Sequence, residues 1–339
     1  MDSATRTTLS HHPTVHRVVS AWRTLSGGNE VRDQDRRTLV ACSGGGDSSA
    51  LVLALAGPSV VVGHVVHDMR PPEESARCSG TARELAESLG LPFYQVSIAA
   101  RQVGGNYEAT ARKLRYEALA RMAAEQGCRY VATAHHAEDQ LETLLLRIMR
   151  GVGPQGLGGI HARRRLAGGV VLLRPMLAVS RAEGLALCRA MGVVWSEDTS
   201  NLDTTRRRAA VRSRVLPALL EIEPGVAAKA VECASLGRRT ALHLNREAER
   251  LKARAASAQG AGVFDREILR SSDAIVLLTL LRRLGPGAPQ RALVAAARWI
   301  RSRSGERKEF KLGGTSLLCE RGVVRSSRGT DSASKPVEK

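Results

Sequence analysis

The stretch "CSGGGDSS", residues 42–49, decides the fold of the first half of the chain. It lies between an apolar run at 39–41 and a second apolar run at 50–55. Glycines allow backbone N–H groups to approach an anion closely, and a helix that starts beside them directs its positive end toward that anion. The pattern therefore predicts a strand, a phosphate-binding turn and a helix. Asp47 would repel phosphate unless a cation lay between them, which indicates Mg²⁺ with its preference for oxygen ligands.

Short β-branched runs and helical patterns alternate around this turn. The expected strands are 38–43, 60–66, 93–98 and 130–134, and the expected helices are 47–56, 75–89, 107–126 and 137–149. Such alternation is typical of a Rossmann-like α/β fold, in which a parallel sheet carries helices on both faces. Ligands bind beyond the carboxyl ends of those strands. Because polar residues follow three of the strands, at 42–49, 67–70 and 135–136, we expect them to meet at one rim.

The rest of the chain predicts a smaller, mainly helical and basic domain. Residues 151–169 are rich in glycine and arginine and are expected to form a loop. The segments expected after it are a strand at 170–173, a helix at 180–190, a short strand at 192–195, an arginine-rich helix ending at Leu220 and a helix at 224–256. A small mixed segment from 263 to 324 ends in an expected hairpin, and the polar last dozen residues are expected to be disordered.

Charge is distributed unevenly along the chain. The first 150 residues contain 17 Lys and Arg against 16 Asp and Glu, whereas residues 151–339 contain 34 against 17. Almost all of the net charge of +18 therefore lies in the second half. This asymmetry favours a region that binds a polyanion such as a nucleic acid, although arginines can also simply decorate solvated helices. The 3% aromatic content argues against a surface that stacks many single-stranded bases.

Cysteines and apolar runs bound the cellular setting. The six cysteines are scattered without any C-x-x-C spacing, which favours reduced thiols over a disulfide framework or a zinc site. No apolar stretch approaches the roughly 18 residues of a membrane span, and the first 20 residues lack the apolar core of a signal peptide. We therefore expect a cytoplasmic protein without a membrane segment. The sequence leaves the oligomeric state open, a homodimer included.

The segment "TAHHAEDQLET", residues 133–143, supplies the next candidates. Asp139 and Glu142 are three residues apart and share a helix face. Asp139 could join Asp47 on Mg²⁺ and Glu142 could position a cationic amine, although acidic residues also commonly occupy helix N-termini. His135 and His136 are candidates for a general base and a structural partner, and the pattern does not decide between the two.

Two arginine pairs complete the candidate set. Arg112 and Arg115 are three residues apart on an expected helix, and Arg208 and Arg212 are four apart on another. Guanidinium groups at such spacing could hold a phosphate or a base edge. Taken alone, the first pair is more typical of a solvated helix face, and the second could equally be exposed arginine after ordinary helix N-capping.

The motifs in order resemble one enzyme family. The quoted turn is similar to the loop of the N-type ATP pyrophosphatases, which cleave ATP between its α- and β-phosphates, and the Gly-Lys pair of a Walker loop does not occur in the chain. The ordered set SGGGDS, HVVHDMR, NYEATARKLRY, TAHHAEDQLET, LRPML and EDTSN…RRRAAVRSRVLP is similar to the tRNA(Ile)-lysidine synthetases over about residues 37–220.

This resemblance implies an architecture and a reaction. The domains would be a helical lead-in at 1–36, a PP-loop ATPase domain at 37–220, a basic, mainly helical tRNA-binding domain at 221–325 and a disordered tail at 326–339. The enzyme would use ATP and Mg²⁺ to adenylate C2 of the wobble cytidine of a tRNA(Ile) with a CAU anticodon. Free L-lysine would then displace AMP to form lysidine.

The resemblance also implies roles for individual residues. ATP phosphates would be held by Ser43, Gly44, Gly45, Gly46, Asp47 and Ser48, and Mg²⁺ by Asp47 and Asp139. Glu142 would seat the lysine, with His135 among the catalytic residues. The arginines that would contact ATP, lysine or the cytidine are Arg112, Arg115, Arg208 and Arg212, and how they divide these contacts stays open. The family usually has asparagine where this chain has Ala209, which puts one hydrogen bond near the substrate in doubt.

Three alternative functions stay open at this point. A PP-loop tRNA thiolase would share the adenylation step, although the missing C-x-x-C counts against sulfur relay through paired cysteines. A non-catalytic RNA-binding protein could retain the turn as a relic. A ligase of the NAD-synthesis type would share the turn but not the basic second half.

Overall fold

The structure is a computed structural model, and it describes residues 9, 11–68, 71–99, 107–196 and 207–328. The chain divides into two compact units, Met1–Gly237 (unit 1) and Arg238–Lys339 (unit 2). Parts of three sequence motifs lie outside the described residues: Met69 and Arg70, Asn106, and residues 197–206. Of the tail expected at 326–339, residues 329–339 also lie outside them, whereas residues 326–328 end a strand, so the prediction of disorder is wrong there.

Unit 1 is an α/β unit. Its elements in chain order are α1 (Pro13–Leu25), β1 (Thr38–Ala41), α2 (Gly46–Leu55), β2 (Val60–His67), α3 (Pro72–Ser88), β3 (Phe93–Ile98), α4 (Tyr107–Glu125), β4 (Tyr130–Ala132), α5 (Ala137–Ile148), β5 (Arg163–Arg165), β6 (Val171–Leu173), α6 (Arg181–Ala190), α7 (Arg207–Ala210), a π-helical turn (Val211–Val215), α8 (Leu216–Ile222) and α9 (Val226–Ala255), which continues into unit 2. Short 3-10 helices lie at Gly28–Glu30, Asp33–Asp35, Pro154–Gly158 and Ala167–Gly169.

These strands form one six-stranded sheet in the order β3-β2-β1-β4-β6-β5. Strand β1 pairs in parallel with β2 and β4, so that Val40 lies opposite Val62 on one side and Ala132 on the other. Strand β5 is antiparallel and forms an edge. The Rossmann-like α/β class is thus confirmed, with one antiparallel strand added to the parallel sheet.

Alternation along the strands explains why helices cover both faces. Leu39 and Val40 are both fully buried, yet they belong to different hydrophobic clusters because successive strand residues point to opposite faces. The cluster of Val40 is covered by apolar residues of α1, α2, α3 and α6. The cluster of Leu39 is covered by α4, through residues such as Leu119 and Ala123.

Two local predictions for unit 1 are wrong. The predicted loop at 151–169 contains strand β5, whose three consecutive arginines hide the strand from a reading based on β-branched residues. The predicted strand at 192–195 does not pair with any described strand. The next residue, Ser196, holds the glycine turn instead, since its N–H donates to the carbonyl oxygen of Gly44 at 2.9 Å.

Unit 2 combines helices with a small antiparallel sheet. Its further elements are β7 (Val263–Asp265), α10 (Arg266–Ser271), α11 (Ala274–Leu284), α12 (Gln290–Arg301), β8 (Lys308–Leu312), β9 (Thr315–Cys319) and β10 (Val323–Arg328), with strand order β7-β10-β9-β8. The expected terminal hairpin is confirmed as β8 and β9, and β10 extends it to a meander that β7 completes. This four-stranded sheet is larger than the single hairpin that was expected in a mainly helical domain.

A buried arginine ties the helices of unit 2 together. The guanidinium carbon of Arg266 lies 4.0 Å from the ring centroid of Trp299, and its nitrogens donate to the carbonyl oxygens of Trp299, Ile300 and Ser302. These carbonyls close the end of α12, where intrahelical partners run out. None of the described helices is both long and apolar enough to cross a membrane.

Candidate active site

The glycine turn follows β1 and leads directly into α2. Gly44 has a φ of +80°, and a Cβ atom built there would lie 2.3 Å from the carbonyl oxygen of Cys78. A side chain is therefore excluded both by the backbone conformation and by α3 packed beneath it. Helix α2 starts at Gly46, and within the described residues no side chain caps it. The first N–H groups of the helix are thus available to an anion.

The serines of the turn hold its shape. Ser48 Oγ donates to the carbonyl oxygen of Gly45 at 2.8 Å and accepts from the N–H of Ser43 at 3.0 Å. The hydroxyl groups of Ser43 and Ser48 lie 3.1 Å apart. These bonds hold the two ends of the turn together, and the turn contains all six predicted phosphate-binding residues.

Asp47 stands at the start of α2 with one oxygen uncommitted. Its Oδ1 atom is buried and accepts no hydrogen bond from the described residues, although Arg181 Nε lies 3.6 Å away. Burial raises the pKa of Asp47 above its usual range, and the nearby His136 and Arg181 only partly offset this. A buried carboxylate oxygen without a donor is suited to a cation.

His136 lies at the centre of the acidic residues. Its Nε2 atom is 3.7 Å from Asp47 Oδ2 and 3.5 Å from Asp139 Oδ2, while Nδ1 is 2.9 Å from Glu138 Oε2. Burial on its own would lower the pKa of His136, but the hydrogen bond to Glu138 and the two aspartates raise it overall. The charged imidazolium is therefore favoured, and His136 acts as a cationic bridge between the turn and α5.

Glu138 ties this bridge to α6. Its carboxylate accepts the N–H of Arg181 at 2.9 Å in addition to the His136 contact. Burial would raise the pKa of Glu138, but the bond to His136 holds it below its usual range. Glu138 thus stays ionised beside a charged histidine, which keeps both side chains fixed.

Asp139 and Glu142 on α5 are paired with arginines of the segment that follows α6. Arg212 contacts both carboxylates, with 2.7 Å to Asp139 Oδ1 and 3.2 Å to Glu142 Oε2, and Arg208 Nε lies 2.5 Å from Glu142 Oε1. The Glu142 side chain is fully buried. Arg212 lies within the π-helical turn Val211–Val215, which separates Arg208 from α8, and such turns often mark functional sites.

The two carboxylates titrate in opposite directions. Burial would raise the pKa of Asp139, but His136 and Arg212 lower it overall. Burial dominates at Glu142 and raises its pKa despite the two arginines. Glu142 is consequently the better proton acceptor of the pair, because its proton is held more tightly.

His135 differs from its neighbour in both charge and partners. Arg112 Nη2 lies 3.4 Å from His135 Nε2, and since a guanidinium can only donate, Nε2 accepts and the ring proton resides on Nδ1. Nδ1 is then the donor to Thr133 Oγ1 at 3.0 Å. Burial, reinforced by Arg174, lowers the pKa of His135 to about 3, so the ring is neutral.

Arg112 and Arg115 lie against Tyr116 rather than against the carboxylates. Their guanidinium carbons are 5.2 and 5.7 Å from the ring centroid, and Arg112 Nη2 donates to the phenolic oxygen at 3.2 Å. Burial lowers the pKa of Arg115. Arg164 and Arg174 complete this cluster, which the sequence reasoning missed because it joins α4, β5 and the end of β6.

The structure therefore groups the predicted site residues into two neighbouring sets. His136 links Asp47 to Asp139 within 4 Å on each side, and the arginines join Glu142 to this set. Arg112 links His135 to the Tyr116 cluster. The predicted site set lacked Glu138, Arg181, Tyr116 and Arg174. Three of these lie in quoted motifs, namely Glu138, Tyr116 and Arg174, whereas Arg181 carried no signal.

The site fits Mg²⁺ in part. Asp47 offers the uncommitted oxygen noted above, whereas both oxygens of Asp139 already accept, one from Arg212 and the other from the N–H of His136. Among the described residues, no group of three side chains could enclose a metal ion alone. This is consistent with Mg²⁺, which usually keeps waters and is held by one or two carboxylates together with phosphates.

Comparison with known proteins identifies the family to which the chain belongs. The model of the PP-loop domain family matches residues 18–219. The tRNA(Ile)-lysidine synthase of the cyanobacterium Nostoc sp. is 32% identical over 285 residues, which cover 82% of this chain and 79% of that protein. The chain belongs to the tRNA(Ile)-lysidine synthase family. The resemblance seen in the sequence is thereby confirmed.

Other members of the lysidine synthase family are similar over a shorter span. The synthase of Salinispora arenicola is 42% identical over 194 residues, 56% of this chain and 58% of that protein. The chain thus spans a little over half the length of that relative. The U34-tRNA thiolase of Methanococcus maripaludis has a similar fold, with a TM-score of 0.53 at 14% identity over 66% of this chain and 78% of that one.

Proposed function

We propose that the chain is an ATP-dependent ligase that attaches L-lysine to the wobble cytidine of a tRNA(Ile) with a CAU anticodon. Membership of the lysidine synthase family supports the reaction class. The observation that carries the proposal is the juxtaposition of an anion-binding turn with buried carboxylates, since His136 Nε2 lies within 4 Å of both Asp47 and Asp139. One region would thereby provide a phosphate-binding site next to an amine-binding site.

The first step is adenylation of the base. The C2 oxygen of the cytidine attacks the α-phosphorus of ATP, and the bond to the β-phosphate breaks to release pyrophosphate. The turn would hold the leaving pyrophosphate through backbone N–H groups and the hydroxyls of Ser43 and Ser48, which would stabilise its developing charge without a lysine. Mg²⁺ held by Asp47 and Asp139 would neutralise phosphate charge when bound.

The second step forms the carbon–nitrogen bond. The ε-amine of lysine attacks C2 of the adenylated cytidine, the C2–O bond breaks, and the original C2 oxygen leaves as part of AMP. Glu142 would seat the lysine ammonium and take its proton, because its buried carboxylate has a raised pKa. Arg208 and Arg212 form ion pairs with Glu142 in this structure, and they would turn toward the phosphate of the departing AMP.

The two adjacent histidines take different parts in this proposal. His136 would remain charged and hold the carboxylates of Asp47 and Asp139 at a fixed separation. His135 would remain neutral and orient Arg112 through its Nε2 atom. With a pKa of about 3, His135 is a weak base, and we assign the proton transfer to Glu142 instead.

Release of pyrophosphate and AMP tests the proposal. The full chain should release both when ATP, Mg²⁺, tRNA(Ile) and L-lysine are all present, and omission of the tRNA should abolish release. Asp47→Asn should abolish it as well, whereas the exposed Asp35→Asn keeps wild-type release as a matched control. Release without tRNA would favour a small-molecule ligase. Sulfur incorporation in place of lysine would favour a thiolase, and no release under any condition would favour a non-catalytic RNA-binding protein.

A further inference from the structure

Tyr116 is surrounded by arginines drawn from three separate segments of unit 1. Arg164 of β5 lies with its guanidinium carbon 4.8 Å from the ring centroid, and Arg112 and Arg115 of α4 lie at 5.2 and 5.7 Å. Arg174, just after β6, donates from Nη2 to the phenolic oxygen at 3.4 Å. We call Tyr116 with these four arginines the Tyr116 cluster.

The Tyr116 cluster has an excess of positive charge. Among the described residues, no carboxylate lies within ion-pair distance of any of its four arginines. Arg174 is only 4% exposed, and its Nε atom is buried without a hydrogen-bond partner in the described part of the chain. Like charges in a partly buried site repel one another, and a buried charge without a counterion is unfavourable. An anion would supply the counterion that this cluster lacks among the described residues.

Several features point to a phosphate group on a polymer. Arg164 lies on the exposed edge strand β5 and reaches Tyr116, so the positive charge of the cluster extends to the edge of the sheet. A single carboxylate needs one arginine fork, whereas several converging guanidinium groups suit the phosphates of a nucleic acid. The phosphates of ATP already have a separate seat at the glycine turn.

We propose that the Tyr116 cluster binds a phosphodiester group of the RNA strand next to the nucleotide that is modified. Arg164 would make the outer contact and Arg112 the inner one, beside His135. Tyr116 would hold the guanidinium planes in place by stacking, and Arg174 would support its hydroxyl group from behind. This proposal rests on the proposed function in that it takes RNA as the substrate.

The strand itself supplies a matched control. Because strand residues alternate between faces, Arg163 and Arg165 point away from the face that carries Arg164 and Tyr116. Arg164→Ala and Arg165→Ala therefore remove the same charge from neighbouring exposed positions. Only the first removes a group from the Tyr116 cluster.

The experiment measures binding of a tRNA(Ile) anticodon stem-loop to the full chain as a function of salt. We expect Arg164→Ala to weaken binding about 10-fold and to lower the slope of log affinity against log salt by about 1. Arg165→Ala should have a clearly smaller effect on both. Arg164→Lys should keep most of the slope and lose part of the affinity, because it retains the charge but not the planar fork.

Each other outcome has a definite meaning. Equal effects of Arg164→Ala and Arg165→Ala would show unspecific attraction and overturn the inference. A rise in the KM for lysine or ATP at unchanged RNA affinity would assign the cluster to that ligand and overturn it as well. If the wild-type chain bound no RNA but released pyrophosphate, the proposed function itself would fail, which separates the two claims.

Discussion

Unit 1 contains two regions of opposite construction, and we propose that each binds an anion. The glycine turn after β1 uses backbone N–H groups and two hydroxyls, and its only charged side chain is an aspartate. The Tyr116 cluster uses four guanidinium groups around one ring and, in the described part of the chain, no carboxylate. A binding site formed by backbone dipoles can release an anion that has just been produced, whereas a binding site formed by fixed charges retains the anion that it binds. We therefore expect the turn to serve ATP and the cluster to serve RNA.

The largest expected effect separates the two regions at the turn. Asp47→Ala removes the uncommitted oxygen at the start of α2. We expect pyrophosphate release to fall about 1,000-fold, comparable to losing a key electrostatic contact in a transition state. RNA affinity should stay within a factor of two of wild type. A parallel loss of RNA affinity, measured with the anticodon stem-loop, would show that the two regions do not act separately and would contradict the comparison.

Substitution of Glu142, the proposed lysine-binding residue, should affect activity independently of both regions. Glu142→Gln keeps the shape of the buried side chain but removes the charge that pairs with Arg208 and Arg212. We expect kcat/KM for lysine to fall about 100-fold, since hydrogen bonds to charged groups contribute about 1.5–3 kcal/mol. A melting curve controls for folding, because the two arginines lose their partner. An unchanged kcat/KM for lysine would show that Glu142 does not bind the lysine.

A change of glycine conformation sharpens the comparison at the backbone level. Gly44→Ala places a Cβ atom against the Cys78 carbonyl, whereas Gly90→Ala imposes a similarly positive φ in open space. Both variants should lose about 1 kcal/mol of stability from backbone strain, and Gly44→Ala should lose more because its Cβ atom meets the carbonyl oxygen of Cys78. Only Gly44→Ala should also lower kcat/KM for ATP, by about 10-fold. Equal ATP kinetics in the two variants would show that the tight fit of the turn is not needed for phosphate binding.

The smallest expected effect concerns the neutral histidine between the two regions. An unfolded histidine titrates near 6.5, whereas the folded pKa of His135 is about 3. Between these values the unfolded chain binds a proton that the folded chain does not, so stability falls as the pH falls through this window. His135→Gln removes this loss. The stability advantage of wild type over the variant should therefore shrink toward acid pH, by at most about 1.4 kcal/mol per pH unit.

Urea unfolding of the full chain at pH 7, 6 and 5 measures this difference. The variant also loses the contact with Arg112, but that contact contributes equally at each pH as long as the ring is neutral. The comparison between pH values therefore isolates the histidine. A constant difference from pH 7 to pH 5 would contradict a buried, neutral His135.

The two regions also differ in how far sequence reasoning reaches. The turn is contiguous, so glycines, serines and Asp47 between a strand and a helix carry its whole chemistry. The seven elements from β1 to β4 that precede His135 were likewise predicted in type, because their apolar periodicity is strong. Asp139 and Glu142 were placed correctly on one helix face from their spacing alone.

The Tyr116 cluster could not be predicted in the same way. Arg164 lies on a strand that reads as a loop, and Arg174 stands in a different segment of the chain. Their meeting at one tyrosine depends on the antiparallel pairing of β5 with β6, which no local pattern specifies. The same holds for Arg181, which reaches Asp47 from the start of α6. Sequence reasoning thus predicted the contiguous turn as a unit, whereas it singled out Arg112 and Arg115 without predicting that they meet other arginines at Tyr116.

Mass analysis of tRNA nucleosides tests the central claim most directly. The full chain is incubated with ATP, Mg²⁺, ¹⁵N-labelled L-lysine and a tRNA(Ile) with a CAU anticodon, and the RNA is digested to nucleosides. We expect the wobble cytidine to gain the labelled lysine and lose its C2 oxygen, which appears in AMP. An unmodified wobble cytidine, in a sample where the chain binds the tRNA and ATP, would contradict the account.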